Sequence, residues 1–357
     1  MARMRKMTNR QRLLAVLHGQ ELDRVPFVQY EDCAAPNGEI WSVFGRNAMG
    51  RLRWVEAHAL AAPHCSFVSE DFARDGLKGC RTVLMTPKGA LLEEKLFEPT
   101  YGAASVKKHF VSEKRDWEIF LSYLRDVVVI PEPEKILAAE RELGDDGLPH
   151  VSVLRTPYQH LWIMWVALED LVAALADWPD LTATVIAELT RIEREVFAAA
   201  VKAPIPYIVF PDNITAPPIG ERYFRQYCVP LYDEMAAMLA GRGIPVFVHM
   251  DGDLKPLWRA IGESRVEGLD SLSPPPDNDT SAGDAVLMWP RMKVFLNFPS
   301  SVHVGDGETI SRTAREILAQ AGHSGRLSIQ ISENVPPGMW RKSFPPIIRA
   351  IEEFGKP

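Results

Sequence analysis

Apolar runs of strand length alternate with helical patterns along most of the sequence after about residue 145. The runs are "HVSVLRTPY", "YIVFPDNIT", "IPVFVHMDG", "VEGLDSLSP", "KVFLNFPSS" and "RLSIQISENVPP". Segments such as "DLTATVIAELTRIEREVFAAAVKA" and "GETISRTAREILAQAG" separate most of them and have the spacing of amphipathic helices. Alternation of this kind is typical of a parallel sheet whose strands are joined by crossover helices.

Two more strands are expected nearer the N-terminus. The run "VPFVQYED" follows a predicted helix in which Thr8 or Asn9 takes the N-cap and Gly19 ends the helix. An eighth strand is expected near "CSFVSEDF". No glycine-rich phosphate loop follows the first strand, so the count favours a closed (β/α)8 barrel over an open sheet.

The pattern changes between about residues 65 and 111 to short alternating segments with a turn at Pro87-Lys88-Gly89. Such alternation predicts antiparallel hairpins. The region is too short to bury much apolar surface by itself. We therefore predict one (β/α)8 barrel domain over residues 1–357, with an antiparallel β excursion at about 65–111 in its N-terminal third.

Composition excludes several classes of protein. A net charge of −7 and a pI near 5.8 provide no basic field for nucleic acid. The cysteines, Cys33, Cys65, Cys80 and Cys228, are too widely spaced to indicate a zinc ribbon or a disulfide framework. No signal peptide and no apolar stretch of about 18 residues is present, so a cytoplasmic protein without a membrane anchor is expected. The sequence leaves the oligomeric state open, a homodimer included.

Polar residues collect where the predicted strands end. They are Tyr30, Glu31 and Asp32; Arg155, Tyr158 and His160; Asp212 and Asn213; His249, Asp251 and Asp253; Asp270; Asn297 and Ser300; and Glu333 and Asn334. The carboxyl ends of parallel barrel strands form one rim, where such barrels carry their chemistry. For any single residue, the polarity of loops is an equally good explanation, but the convergence predicts a site.

The segment "HMDGD" is the most informative of these strand ends. His249 and Asp251 are two residues apart, so an extended chain places them on the same side. Gly252 permits the chain to bend after them. The pair is expected either to bind one metal ion or to form a hydrogen-bonded polar turn.

Longer stretches resemble the uroporphyrinogen decarboxylase superfamily, in particular its corrinoid-dependent, O-demethylase-like methyltransferase branch. They are "MTNRQRLLAVLHGQELDRVPF", "PDNITAPPIGERYFRQYCVPLYDEM", "HMDGDLKPLW" and "ISENVPP". The resemblance implies a (β/α)8 barrel. Uroporphyrinogen decarboxylases carry an arginine-rich signature after the first strand, whereas this chain has the acidic "QYEDCAAPNG". Carboxylates repel a substrate with many carboxylates, which argues against porphyrinogen decarboxylation.

The methyltransferase branch implies a zinc site. Its coenzyme M enzymes have an H-x-C-G-N segment and a second cysteine after the last strand. By that match, His249, Asp251 and Glu333 are three zinc ligands, with carboxylates in place of both thiolates. Such a set leaves a harder ion that suits an oxygen-linked methyl group.

The resemblance further implies transfer of the methyl group to a corrinoid cobalt. The chain has no D-x-H-x-x-G corrinoid signature, so cobalamin is expected on a separate protein. A phenoxide leaves more easily than an alkoxide, by roughly 8 kcal/mol at most, which favours methoxylated aromatic donors. The predicted catalytic residues are Glu31, Tyr158 and Asp212, and the predicted substrate-binding residues are Tyr30, Asn213, Trp162 and Asn297.

Two other functions remain open at this point. One is a metal-free lyase that decarboxylates another acid. The other is a non-catalytic binding protein that kept the barrel and lost the chemistry. Trp162 is likewise open to two interpretations, because tryptophans spaced by three, as Trp162 and Trp165 are, often belong to a helical core rather than to an aromatic pocket wall.

Overall fold

The computed structural model describes residues 6–100 and 102–356. Its strands are β1 Phe27–Tyr30, β2 Gly50–Glu56, β3 His58–Ala61, β4 Ser66–Arg74, β5 Leu77–Thr86, β6 Gly89–Phe97, β7 Ala104–Lys108, β8 Val128–Pro131, β9 Gly147–Ser152, β10 Ile208–Phe210, β11 Val246–His249, β12 Gly268–Leu272, β13 Lys293–Asn297 and β14 Leu327–Ile331. Its helices are α1 Asn9–His18, α2 Asn37–Phe44, α3 Lys114–Asp126, α4 Glu134–Leu143, α5 Pro157–Met164, α6 Leu168–Asp177, α7 Pro179–Ala200, α8 Ala216–Tyr223, α9 Val229–Leu239, α10 Trp258–Glu263, α11 Ala282–Met288, α12 Gly307–Ala321 and α13 Trp340–Phe354.

Eight parallel strands close into a barrel in the order β1, β2, β9, β10, β11, β12, β13, β14 and back to β1. The predicted (β/α)8 barrel is therefore confirmed. The expected eighth strand at "CSFVSEDF" is wrong, because Ser66–Arg74 pairs antiparallel with Leu77–Thr86 outside the barrel. The eighth barrel strand is β2, "GRLRWVE", which pairs in parallel with β1 and β9.

The predicted antiparallel excursion is also confirmed. Strands β4 to β7 form a four-stranded antiparallel sheet, and β5 and β6 are joined by the expected turn after Thr86. The chain divides into two compact units. The barrel unit comprises the described residues up to 57, 132–153 and from 200 onward, and the second unit comprises 58–131 and 154–199. The prediction of a single domain stays a prediction.

Helix α1 forms as the sequence predicts and belongs to the apolar core of the barrel unit. Thr8 caps its first turn in a capping box with Gln11, and Gly19 ends it in the left-handed conformation. Its Leu13 and Val16 belong to a buried cluster with residues from six barrel strands, namely Val28, Leu52, Leu148, Val209, Phe247 and Phe295. The polar side chains of the strands lie at the other end of the barrel.

In the described part of the chain, no helix combines the length and the apolar character needed to cross a membrane.

Candidate metal centre

The site follows from the two-residue period of the barrel strands. A residue two positions after an inward apolar residue also points inward, toward the carboxyl end of the strand. The successive inward pairs are Val28 and Tyr30, Leu52 and Trp54, Leu148 and His150, Phe247 and His249, and Phe295 and Asn297. The apolar core is thus covered by a second layer that is mostly polar.

Three predicted metal ligands converge in this layer. One donor atom from each of His249, Asp251 and Glu333 lies within 4.8 Å of the other two. The Nε2 atom of His249 is 3.5 Å from Oδ2 of Asp251. Two ligands of a tetrahedral zinc ion are about 3.4 Å apart when each is about 2.1 Å from the ion. The geometry of the set therefore fits a metal ion after small side-chain adjustments.

The charges of the site also suit a cation. Burial opposes a charge on His249, but the hydrogen bonds and charges of Asp251 and Asp270 raise its pKa to about 10. Burial raises the pKa of Glu333, and Asp251 and Asp270 add to this effect although His249 opposes it. Three carboxylates thus surround one imidazole. A divalent cation bound at His249 Nε2 would replace a proton and balance this negative charge.

Asp270 fixes the orientation of the His249 ring. Its Oδ2 is 3.0 Å from Nδ1 of His249 and accepts a hydrogen bond of 2.5 Å from the Tyr30 hydroxyl. Its Oδ1 accepts a 3.1 Å bond from Nε2 of Gln330. Although burial opposes ionisation, the charges of His150 and His249 and the bonds from His249 and Tyr30 lower the pKa of Asp270 to about 2. A metal-binding histidine is commonly oriented by such a carboxylate on its other nitrogen.

A second set of buried contacts extends this network below Asp270. His150 lies on β9 with Nε2 3.5 Å from Oδ2 of Asp270, and its Nδ1 is 2.9 Å from the Tyr207 hydroxyl. Burial lowers the pKa of His150 to about 4, so it is neutral at neutral pH. Burial and Asp270 raise the pKa of Tyr30 well above its usual value, so its hydroxyl stays a donor.

Asn213 holds the second candidate ligand. Its Nδ2 donates a 2.9 Å hydrogen bond to Oδ2 of Asp251. The residue has a φ of 49°, a left-handed conformation that asparagine tolerates better than most residues. This contact gives Asn213 a positioning role, and its predicted role in substrate binding stays a prediction.

A bulge in β12 supports the loop that carries Glu333. The register with β13 shifts between residues 269 and 272, and Ser271 there has a φ of 61°. Its hydroxyl is hydrogen-bonded to that of Ser332 and contributes a bond to Glu333. Asn297 accepts bonds of 3.1 and 3.2 Å from the backbone and hydroxyl of Ser332. The predicted contact of Asn297 with substrate is not tested by these bonds.

Cys33 also contacts this loop, since its Sγ donates to the Glu333 carbonyl. Burial and the Glu333 charge raise the pKa of Cys33 to about 11, so Cys33 is a thiol.

The turn after His249 is clamped to the neighbouring loop. The backbone N–H of Ile214 donates to the His249 carbonyl, and that of Gly252 donates to the Ile214 carbonyl, at 3.1 and 3.2 Å. The Asp253 N–H donates to the Thr215 hydroxyl. A Cβ atom on Gly252 would lie 2.1 Å from Cβ of Thr215. Glycine is therefore required for this close approach, whereas the sequence suggested that it was needed for a bend.

We expect Gly252→Ala to lower the free energy of unfolding by about 1–3 kcal/mol, because the added methyl group must displace the backbone near Thr215. Asp251 should shift with it, so metal affinity should fall as well. The matched control is Gly241→Ala, since a Cβ at Gly241 would meet no atom within 4 Å. Chemical denaturation and metal titration of both variants test this. Equal behaviour of the two variants would show that the clamp has no energetic importance.

Two other candidate residues of the barrel unit have their own partners. The Glu31 carboxylate is 2.5 Å from Nη1 of Arg51 and 2.6 Å from Nε of Arg53, and the hydrogen bonds and charges of these arginines lower its pKa although burial opposes them. Such a carboxylate is a poor proton donor at neutral pH. Asp212 is fully buried and accepts a hydrogen bond from the Tyr232 hydroxyl. Their predicted catalytic roles stay predictions.

The remaining candidates, Tyr158 and Trp162, lie on α5 in the second unit. Tyr158 is fully buried, and Nε1 of Trp162 donates a 2.6 Å bond to Oε1 of Gln159. Trp165 packs among Phe110, Phe120 and Tyr123 in the same unit, as expected for a core residue. The predicted roles of Tyr158 and Trp162 also stay predictions.

The sequence interpretation missed Trp54, His150, Tyr207 and Gln330. Trp54 follows Leu52 by two residues and His150 follows Leu148 by two, so the same period that identifies His249 after Phe247 also identifies them. Asp270 was expected at the rim, but no role was predicted for it.

A cleft of about 770 Å³ opens at the amino ends of the strands, away from this site. Its lining includes Arg12 and Arg24. Arg12 is paired with Asp23 at 2.7 Å, and Arg24 lies 3.6 Å from Glu352. These pairs neutralise the two arginines, and chemistry in such barrels belongs to the opposite rim.

The chain is similar in sequence to one protein family and in structure to solved proteins. The family model described as uroporphyrinogen decarboxylase (URO-D) matches residues 135–344. A methyltransferase from Methanosarcina mazei is similar in structure, with a TM-score of 0.59 and 15% identity over 98% of this chain and 99% of that chain. A B12-independent methionine synthase from a Shewanella species, in complex with selenomethionine, has a TM-score of 0.43 and 12% identity over 63% of this chain and 68% of that chain. Comparison with curated proteins gives no match. At these identities, similarity to the Methanosarcina protein is evidence of fold alone.

Proposed function

This chain is a member of the uroporphyrinogen decarboxylase family, and from that premise we propose that it is a zinc-dependent methyltransferase component. It takes a methyl group from a methoxylated, aromatic small molecule and transfers it to the cobalt of a separate corrinoid protein. The observation that carries the proposal is the convergence of His249, Asp251 and Glu333 within 4.8 Å at the carboxyl ends of the barrel strands.

The charge of the site favours this reaction over porphyrinogen decarboxylation. The side chains that converge with His249 are the carboxylates of Asp251, Asp270 and Glu333, which would repel a substrate with many carboxylates. Arg51 and Arg53 of β2 are bound to Glu31. An acidic site at the rim suits a metal ion and a neutral methyl donor.

The donor atoms indicate which ion and which substrate atom would meet. One imidazole nitrogen and two carboxylate oxygens form a three-ligand set, and three is the number of protein ligands in catalytic zinc sites with an open fourth position. When bound there, zinc would polarise the oxygen that leaves the methyl group. His249 presents Nε2 because Asp270 holds its Nδ1, and Asn213 holds Asp251 through a hydrogen bond to Oδ2.

The transfer is balanced without an external oxidant or reductant once the corrinoid is reduced. In the proposed transfer, the methyl carbon would accept an electron pair from the reduced cobalt, the carbon–oxygen bond would break, and its electron pair would leave with the oxygen, which would take a proton from solvent to give the phenol. A phenoxide has a conjugate-acid pKa of about 10, against about 15.7 for water, so an aryl ether reacts more readily. The Tyr30 hydroxyl donates a hydrogen bond to Asp270, and its raised pKa keeps it neutral. Tyr30 therefore orients groups near His249 rather than acting as a base.

We expect the wild-type protein loaded with zinc to convert methoxybenzenes to phenols and to generate the methylcobalt absorption spectrum. Reduced corrinoid protein serves as acceptor, and free reduced cobalamin at high concentration is a substitute that needs no matched partner. His249→Ala should lose at least about 100-fold in rate, since removing one well-placed electrostatic group typically costs 100- to 1,000-fold. His303→Ala, another buried histidine of the barrel unit, is the control.

Absence of a methylcobalt spectrum across neutral, phenolic and acidic methoxybenzenes with both acceptors would contradict the proposal. Formation of the spectrum from methylated amines or thioethers alone would preserve the methyltransferase function but refute the ether substrate. The cytoplasmic location and the corrinoid partner stay predictions until such a partner is isolated.

A further inference from the structure

Trp54 differs from its neighbours in the polar layer of the barrel. It follows the buried Leu52 by two residues on β2 and therefore points inward as Leu52 does. Trp54 is 40% exposed, whereas His249 is 6% exposed and His150 is fully buried. A large aromatic surface is thus left open at the carboxyl end of a barrel strand, where such barrels bind their substrates.

The contacts of Trp54 cover one part of its ring only. The His150 ring lies at 4.5 Å between centroids and is tilted by 30°, so it covers one face of the indole. Tyr30 meets the indole at nearly a right angle, with centroids 5.4 Å apart. With both contacts in place, Trp54 is still 40% exposed.

Tyr30 connects this open aromatic surface to the metal ligands. The ring of Tyr30 contacts Trp54, and its hydroxyl is 3.2 Å from Nδ1 of His249. A single exposed tryptophan needs no functional explanation. An exposed tryptophan separated by one side chain from a metal-ligand candidate does need one, because a substrate of a few rings would contact both.

We propose that Trp54 is the platform on which the aromatic ring of the methyl donor stacks while its methoxy oxygen faces His249, Asp251 and Glu333. The inference rests on the proposed methyl transfer and specifies its substrate as a flat aryl ether. A methylated ammonium group is bound by several aromatic faces that surround it. Here Tyr30 is engaged by Asp270 and is nearly perpendicular to Trp54, so the two rings do not form parallel walls around a cation, and a single exposed indole suits a flat ring.

Two ethers of nearly the same size test the stacking directly. Methoxybenzene has a π face and methoxycyclohexane has none, so their relative affinity isolates the aromatic contribution. Ligand-observed NMR titration of zinc-loaded protein, without any corrinoid, measures both dissociation constants. Wild type is expected to prefer methoxybenzene by about 2- to 13-fold, the range that an aromatic pair adds beyond buried area.

The variants assign that preference to one residue. Trp54→Leu should bind both ethers equally, and Trp54→Phe should keep most of the preference. Trp41→Leu is the matched control, because Trp41 donates to the Met49 carbonyl just before β2 and lies outside the polar layer. Thermal unfolding of each variant verifies that the fold is retained.

Three outcomes would overturn the proposal: equal binding of the two ethers by wild type, an unchanged preference in Trp54→Leu, or Trp54-dependent binding of tetramethylammonium tighter than that of methoxybenzene. These results are separable from the fate of the methyl transfer itself. A ring preference that disappears in Trp54→Leu, found together with no methylcobalt product, would establish the aryl site and refute the reaction. Turnover with an unchanged preference in Trp54→Leu would do the reverse.

Discussion

Replacing His249 with alanine is expected to remove stoichiometric zinc from the purified protein, and Glu333→Ala is expected to do the same. Each substitution deletes one of three donors that lie within 4.8 Å of one another. Two donors hold zinc poorly, since catalytic sites use three protein ligands. We expect affinity to fall by at least about 100-fold, because loss of an outer partner alone typically costs about 10- to 100-fold.

Metal content after purification without added metal, and again after reconstitution with zinc, measures this effect. Competition with a chromophoric chelator gives the dissociation constants. Thermal unfolding is a second readout, because zinc at 100 times its dissociation constant stabilises the folded state by about 2.7 kcal/mol. That stabilisation should be present in wild type and absent in both variants. The control is His303→Ala, which removes an imidazole whose Nδ1 is hydrogen-bonded to the Ser343 hydroxyl. Zinc binding should persist in this variant.

The same data distinguish the rival functions. If wild type binds no zinc even after reconstitution, His249 and Asp251 form a polar turn, and a metal-free lyase or a non-catalytic binding protein becomes the better interpretation. The lyase hypothesis also predicts that Glu333→Gln is tolerated. Under the metal hypothesis, Glu333→Gln keeps an oxygen donor but loses its charge, so its zinc affinity should lie between those of wild type and Glu333→Ala.

The candidate metal triad was accessible from the sequence because two of its members lie two residues apart, at and just after the end of one strand. The period of two places His249 and Asp251 on the same side, and the family resemblance supplied Glu333 at the end of the last strand. The same period also separates Glu31 from Tyr30. Since adjacent strand residues point in opposite directions, Glu31 leaves the interior and meets Arg51 and Arg53, which alternate with the inward Leu52 and Trp54.

Strand β2 was missed for a related reason. Parallel strands buried on both faces read as continuous apolar runs. In β2, outward Arg51 and Arg53 interrupt the run, and these side chains are tolerated there because Glu31 and Glu142 neutralise them. The sequence contains the alternation but gives no sign that two acidic partners from distant segments make it compatible with a barrel wall.

The network around Asp270 could not be predicted for a different reason. Its partners Tyr30, His249 and Gln330 come from β1, β11 and β14, and their distances depend on the closure of the barrel. A strand-end aspartate is polar in any protein. Only the positions of three donors around it show that this one is buried, ionised and directed at the histidine.

Asp270→Asn is expected to lower zinc affinity by about 10- to 100-fold with almost no change in side-chain size. Both oxygens of Asp270 accept hydrogen bonds, Oδ2 from Tyr30 and His249 and Oδ1 from Gln330. Asparagine offers one acceptor oxygen and one NH₂ group, so the NH₂ group must face a donor that now binds a carboxylate oxygen. A donor left without an acceptor in a buried site costs about 1–3 kcal/mol, so stability should fall as well.

The effect of Asp270→Asn on the protonation of His249 shows whether Asp270 positions the histidine or only supports the fold. If the new amide keeps its oxygen toward Gln330, its NH₂ faces Nδ1 of His249, and the neutral imidazole must carry its proton on Nε2, the nitrogen nearest Asp251. Zinc must then displace that proton and force an unfavourable contact at Nδ1. Chelator competition and imidazole ¹⁵N shifts of histidine-labelled protein measure the two effects. Asp146→Asn, which weakens the ion pair between the buried Asp146 carboxylate just before β9 and the exposed Arg46, should lose stability but keep both zinc affinity and the wild-type ¹⁵N shifts. Were Asp270→Asn to behave as Asp146→Asn does, the carboxylate would support the fold without orienting the histidine.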